Sequence, residues 1–165
     1  MATKSVHSTS QAETIRSEHL RHETTINMIG QLYYVGAAFL VIAAVVSVVQ
    51  KHETAGQFAI MLGLLAAGFA FAGYMLRRLD ARARYCATLM AVLGLVAFPI
   101  GTVLNAYVLY LIHVKKGRTV LSPEYREVVA ATPEFKARVA HSALALGIVL
   151  VGVTVYRVLM VFLHT

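Results

Sequence analysis

The sequence predicts an all-α integral membrane protein: a four-helix bundle with an N-terminal amphipathic helix and a short interfacial helix between spans three and four. Three observations carry this. Hydrophobic residues make up 58% of the 165 and charged residues 14%, against about a quarter charged in a soluble domain. The apolar residues gather into four blocks, at about 31–49, 56–76, 85–112 and 139–163, each near or above the roughly 20 residues that cross a bilayer. The longest polar connection contains two helix starts built alike, SPEYREV from Ser122 and TPEFKAR from Thr132.

Residues 1–11 are rich in Ser and Thr without periodicity and are expected to be disordered. Residues 12–165 then form a single membrane domain. From Ala12 the pattern turns helical, with Ile15, His19, His22, Ile26 and Ile29 on one stripe. Glu18 and Glu23 lie one turn from His22 and His19. His and carboxylate at that spacing can share a cation. Without further ligands nearby, solvated charge pairs on a juxtamembrane helix are the preferred reading. No basic segment with a short apolar core opens the chain, so the first span is expected to be retained.

The first span opens on Tyr33 and Tyr34, whose amphipathic rings suit the headgroup region. A short turn leads to the second span. There Ala59, Gly63 and Ala67 form one ridge of small residues, and Gly68 and Ala72 another. Such ridges let helix backbones approach closely, within the chain by preference or between copies. The turn RRLDARAR, residues 77–84, is the clearest topology signal, with Tyr74 and Tyr85 flanking it.

The third block holds Pro99, which removes a backbone donor and predicts a kink near mid-bilayer. Gly101, Thr102 and Asn105 lie toward one side of it. A buried amide in lipid needs a partner or water. This face is therefore expected against protein or a wet crevice, as an interhelical hydrogen bond first and a pore lining second. The carbonyl freed by Pro99 is expected to be met by a neighbouring helix, by Thr102 or Asn105, or by water.

Beyond a basic turn at Lys115, Lys116 and Arg118, a hydroxyl N-cap, a proline and a glutamate open a two-turn helix at about 123–131. Tyr125, Val128 and Val129 make its apolar face, which suits a membrane surface. The same signals at Thr132 open the fourth span. Arg157 is the one charge inside a predicted span, close enough to its end to snorkel. Asp80 is its best candidate partner.

Side A, bearing the N-terminus, carries Lys4, Arg16, Arg21 and the four arginines of the 77–84 turn. Side B carries Lys51, Lys115, Lys116, Arg118, Arg126, Lys136 and Arg138, so the counts tie at seven each. The dense short turn is the better guide, and places both termini in the cytoplasm of a bacterial inner membrane protein. The net charge of +7 is that of span ends; no compact basic domain exists to bind nucleic acid.

The runs FPIGTVLNAYVLYLI, SPEYREVVAATPEF and HETTINMIGQLYYVGA resemble an uncharacterised family of small bacterial four-transmembrane-helix proteins. The resemblance implies the fold class and no activity. In that family glycine is usual where this chain has Asn105.

The sequence lacks HExxH, a nucleophile elbow and any Asp or Glu inside a span. It holds one cysteine, Cys86, and its histidines sit at span ends. These features argue against an enzyme, a haem or metal cofactor and a proton-coupled carrier. The expectation is a non-catalytic membrane component, an accessory or self-associating subunit surrounded by lipid and assembled as a homo-oligomer or within a larger complex. An oligomeric channel or small transporter, with its polar face around Asn105, is the alternative.

Overall fold

Two long helices carry the fold, and a hairpin of two short ones folds back against them. In the computed structural model, residues 3–49, 54–96 and 100–134 and positions 145, 149 and 153 are described. Pro99, Arg157 and most of the block 139–163 lie outside the described residues. All six described elements are α-helices: α1 Thr3–Val49, α2 Ala55–Arg77, α3 Ala83–Gly94, α4 Ile100–His113, α5 Lys115–Val120 and α6 Pro123–Ala131. The part of α1 from Ser10, and α2, are long and apolar enough to cross a membrane.

Helix α1 begins at Thr3, within the stretch where no regular structure was expected. Further along, the Thr14 hydroxyl donates to the Ser10 carbonyl at 3.0 Å and that of Ser17 to the Thr14 carbonyl at 2.8 Å, both within the helix. Hydroxyls that would otherwise compete with the backbone are thereby absorbed. The expected amphipathic helix is thus continuous with the first span, and 47 residues run to about 70 Å at 1.5 Å per residue. Its buried face keeps Ile26 and Ile29 of the expected stripe but departs from it nearer the N-terminus. Ala12, Arg16, Glu23, Ile26, Ile29 and Tyr33 are buried, whereas Ile15 is exposed.

Helix α2 follows the expected second span within a residue at each end and runs antiparallel to α1. The two backbones meet at glycines: a Cβ on Gly73 would lie 2.7 Å from the Gly30 carbonyl oxygen. Of the small-residue ridges, Gly68 and Ala72 pack inside the chain, Gly68 against Met90. On the other ridge Ala59 is half-buried and Ala67 exposed, and Gly63 meets nothing within 4 Å among the described residues. Tyr33 is buried where α1 meets α2 and α3. Its ring lies edge-on to Phe69 at 5.1 Å and its hydroxyl reaches the Ala87 carbonyl at 3.4 Å.

The turn after α2 closes the helix with two reversed bonds, Asp80 N–H to the Met75 carbonyl at 3.1 Å and Leu79 N–H to Leu76 at 3.0 Å. Such a close needs a left-handed residue, usually glycine. Here Leu79 takes it, at φ 51°, and its side chain is buried in the core. Burial of a leucine side chain, at about 1.5–3 kcal/mol, offsets a backbone penalty of about 1–2 kcal/mol. Asp80 then accepts the Arg82 N–H at 2.9 Å and starts α3.

The third block differs most from expectation. Residues 85–112 do not form one kinked span. Helix α3 ends at Gly94 and α4 starts at Ile100, and α4 returns alongside α3. Gly94 lies against the Asn105 amide, where a Cβ would overlap it. In a continuous helix these residues would stand about 16 Å apart. Met90 lies against Gly68 of α2, so Gly94, four residues on, reaches about the middle of α2. With 12 and 14 residues, the two arms span about 18 and 21 Å, each short of the roughly 30 Å hydrocarbon core.

The return brings α5 and α6 back to the end of the bundle that holds the N-terminal half of α1 and the 78–82 turn. Ile26, Ile29, Leu76, Leu79, Ala83, Val108, Ile112, Val120 and Tyr125 share one core there. The segment read as a basic turn forms α5, whose Gly117 packs against carbonyl oxygens at the end of α4. Helix α6 has the expected limits, with the Ser122 hydroxyl accepting from Tyr125 N–H at 3.2 Å and Pro123 in the first turn. Its apolar face is turned to protein rather than to a membrane surface: Tyr125 is buried and Val129 packs on the core.

Candidate functional site

Two polar constellations stand out, one within the hairpin and one where α6 meets α1. In the hairpin, proline at 99 has no N–H to offer the carbonyl four residues earlier, that of Leu95. The Thr102 hydroxyl donates to that oxygen at 2.7 Å. Asn105 donates its Nδ2 to the Gly101 carbonyl at 2.8 Å and lies against Gly94. The Gly101, Thr102 and Asn105 face therefore looks at the other arm of its own hairpin. Gly94 is required by close approach, since a side chain there would displace the amide.

Replacing Thr102 by Val strands the Leu95 carbonyl and is expected to cost about 1–3 kcal/mol. Asn105→Leu gives up one bond in an apolar setting, about 1 kcal/mol. Thermal unfolding of the two variants in one detergent should rank them in that order. The reverse order would mean that Asn105, not Thr102, holds the hairpin.

At the other site Arg16 and Glu23, seven residues apart, fall on one face of α1. Nε and Nη2 of Arg16 donate to the two carboxylate oxygens at 3.3 and 3.1 Å. Nη1 donates to the Thr132 hydroxyl at 3.0 Å, to the Val129 carbonyl at 3.4 Å and to the Thr132 carbonyl. The Tyr125 hydroxyl donates to Glu23 Oε2 at 2.9 Å. All four residues are at most 4% exposed. Among the described residues every buried side-chain polar atom has a partner. Burial first, and then the Glu23 charge, pushes the Tyr125 phenol well above its usual range. The set works as a clamp. Thr132 closes α6, its hydroxyl donating to the Val128 carbonyl at 2.8 Å; the fourth span it was expected to open lies outside the described residues.

The histidines divide. His22 donates through Nε2 to the Leu111 carbonyl at 3.1 Å, which fixes its tautomer, and burial holds its pKa below the ordinary 6.5. His19 stacks at a tilt on Tyr125, with centroids 5.9 Å apart. With Glu23 bound to Arg16 and Tyr125, the His and carboxylate pairs of α1 do not converge. Among the described residues no group of three His, Cys, Asp or Glu side chains is placed to hold a metal. The end of α4 is met by donors from outside it: His22 on Leu111, and Arg118 Nε on the His113 carbonyl at 3.1 Å. Asp80, weighed as a partner for Arg157, faces Arg126 of α6 at 3.5 Å.

Sequence reasoning offered Thr102 as one of several partners for a carbonyl freed by Pro99, beside Asn105, a neighbouring helix and water, and it missed the Arg16 and Glu23 clamp. The available signal was the pair of opposite charges seven apart, in phase with Ala12 and Ile26. The arrangement defines an all-helical protein with two helices long and apolar enough to span a membrane and a clamped polar end. Comparison with protein-family models, curated proteins and solved structures finds no match.

Proposed function

We propose that this is a non-catalytic integral membrane protein, an accessory or self-associating component of a bacterial inner-membrane complex. The observation that carries the reading is the fate of polar groups along the apolar helices. Thr102 serves Leu95, Asn105 serves Gly101, Ser47 bonds Ala43, Thr88 bonds Arg84 and Tyr33 reaches Ala87. Each is spent inside the chain. The outer surface is left to apolar side chains such as Val45, Ile60, Leu64, Leu89 and Val103, all more than half exposed. Lipid or a partner helix can cover such a surface, and neither chemistry nor ion passage is offered there.

An oligomeric channel or small transporter is the second reading, favoured by one feature. The hairpin carries the Asn105 face to mid-membrane depth, where irregular backbone is tolerated only inside protein or along a wet cavity. Membrane extraction followed by light scattering of the detergent-solubilised protein tests the proposal. Expected is a protein that resists alkaline extraction and has a mass above the 18.0 kDa of one chain, with no ion flux in reconstituted vesicles. Release by alkali would end the membrane reading, a monomer the self-associating one, and flux the non-conducting one.

A further inference from the structure

We propose that the clamped end of the bundle carries a collar for anionic phospholipid headgroups, and that this end faces the leaflet in which such lipids and the cytoplasm meet it. The inference rests on the reading that α1 and α2 cross a bilayer. Its basis is a juxtaposition that the linear sequence hides. Arg77 and Arg78 end α2, Arg82 and Arg84 lead into α3, and Lys115 and Lys116 open α5. Along a straight third span the last two would stand a membrane's width from the first four. The return of α4 brings them to that end of the bundle: Leu111, near the close of α4, meets His22 of α1 at 3.1 Å, and Arg126 of α6 lies 3.5 Å from Asp80 of the turn.

Five of the six are exposed and Arg84 is half-buried. Among the described residues ion pairs are confined to Arg16 with Glu23 and Arg126 with Asp80, so these six lack a carboxylate partner there. Two aromatic rings mark the depth. The Arg78 guanidinium lies 4.6 Å from the centroid of Tyr74, and that of Arg84 5.5 Å from Tyr85, both rings being exposed. Tyrosine beneath arginine is the arrangement expected where hydrocarbon gives way to phosphate. In sequence the 50–54 connection contains one charge of each sign, Lys51 and Glu53. Phosphate diesters held in a leaflet satisfy both requirements of the collar, negative charge and presentation in a plane at that depth.

The test uses full-length protein. Phosphatidylglycerol or phosphatidylcholine is added to the detergent-solubilised wild type and to the variant Arg77→Gln/Arg78→Gln/Lys115→Gln/Lys116→Gln, and thermal unfolding and retained lipid are read. Wild type is expected to retain phosphatidylglycerol preferentially, to melt higher in it, and to lose the preference in high salt. The variant should bind phosphatidylglycerol at least about tenfold more weakly while keeping its melting temperature in phosphatidylcholine. A second variant, Lys115→Gln/Lys116→Gln alone, covers the event that the first does not fold and should lose part of the preference. Equal response to both lipids, an unchanged preference in the variants, or the same shift from inorganic phosphate would overturn the proposal. If alkaline extraction releases the protein, the membrane reading fails first, and the two failures are told apart.

Discussion

A cysteine placed at Thr119 will react with a membrane-impermeant maleimide from the same side of the membrane as one placed at Arg82, and from the side opposite one placed at Thr54. The background is Cys86→Ala, which removes the chain's one thiol. All three positions are exposed, so a failure to label reports sidedness rather than burial. A straight third span would put Thr119 with Thr54. The hairpin puts it with Arg82, because α4 ends beside His22 of α1 and α6 reaches Asp80 of the 78–82 turn. The outcome is all-or-none. Labelling of Thr119 together with Thr54 would sink the hairpin outright.

The second large effect belongs to the clamp. Glu23→Ala leaves the Arg16 guanidinium nearly solvent-free with its main partner gone, which is expected to cost about 3–5 kcal/mol. Exchanging both groups together, Arg16→Met with Glu23→Leu, should cost much less, because no charge is then stranded. Tyr125→Phe removes one bond to a carboxylate and falls between, at about 1.5–3 kcal/mol. Melting temperature and proteolysis between residues 115 and 134 read these effects, and the single variant should be the most readily cleaved. If the double variant is as unstable as Glu23→Ala, the ion pair itself and not the stranded charge supplies the stability.

pH bears on the same contact. The Tyr125 pKa is raised on folding, so the folded state favours the protonated phenol. Its contribution is complete below the unfolded value of about 10 and is lost as pH rises beyond it. His22 runs the other way. Its folded pKa is lowered, so its contribution is complete above about 6.5 and declines as pH falls through the folded value. The melting temperature should therefore fall on both sides of neutrality, and Tyr125→Phe should remove part of the alkaline fall.

What the sequence disclosed, and what it hid, follows from the range of each signal. The start of α6 was legible because Ser122, Pro123 and Glu124 act within one turn. The limits of α2 were legible because hydropathy changes abruptly at both ends. Thr102 stood among four candidate partners because a carbonyl freed by proline needs a donor within reach, and only the fold picks it out for Leu95. The reversal between α3 and α4 was not legible. Twenty-eight apolar residues fit a long tilted span as well as two short arms, and the choice rests on Gly94 admitting the Asn105 amide, a contact between residues eleven apart. The Arg16 to Thr132 link joins residues 116 apart, and no local pattern encodes it. The first half of the stripe on α1 was read one residue out of phase, because arginine and glutamate were assumed to face water, while Ile26 and Ile29 are buried as read.

The hairpin also makes sidedness a tertiary property. Hydropathy alone would carry everything after His113 across the bilayer. In the folded chain a glycine and an amide packed against each other keep it at home. A methyl group added at Gly94 would press on the latch between two topologies, while the basic residues of α5, disfavoured in transit, resist from the other side. On the proposed reading that α1 and α2 cross a bilayer, the compartment that α5 and α6 meet is settled only once two arms of one apolar block have paired.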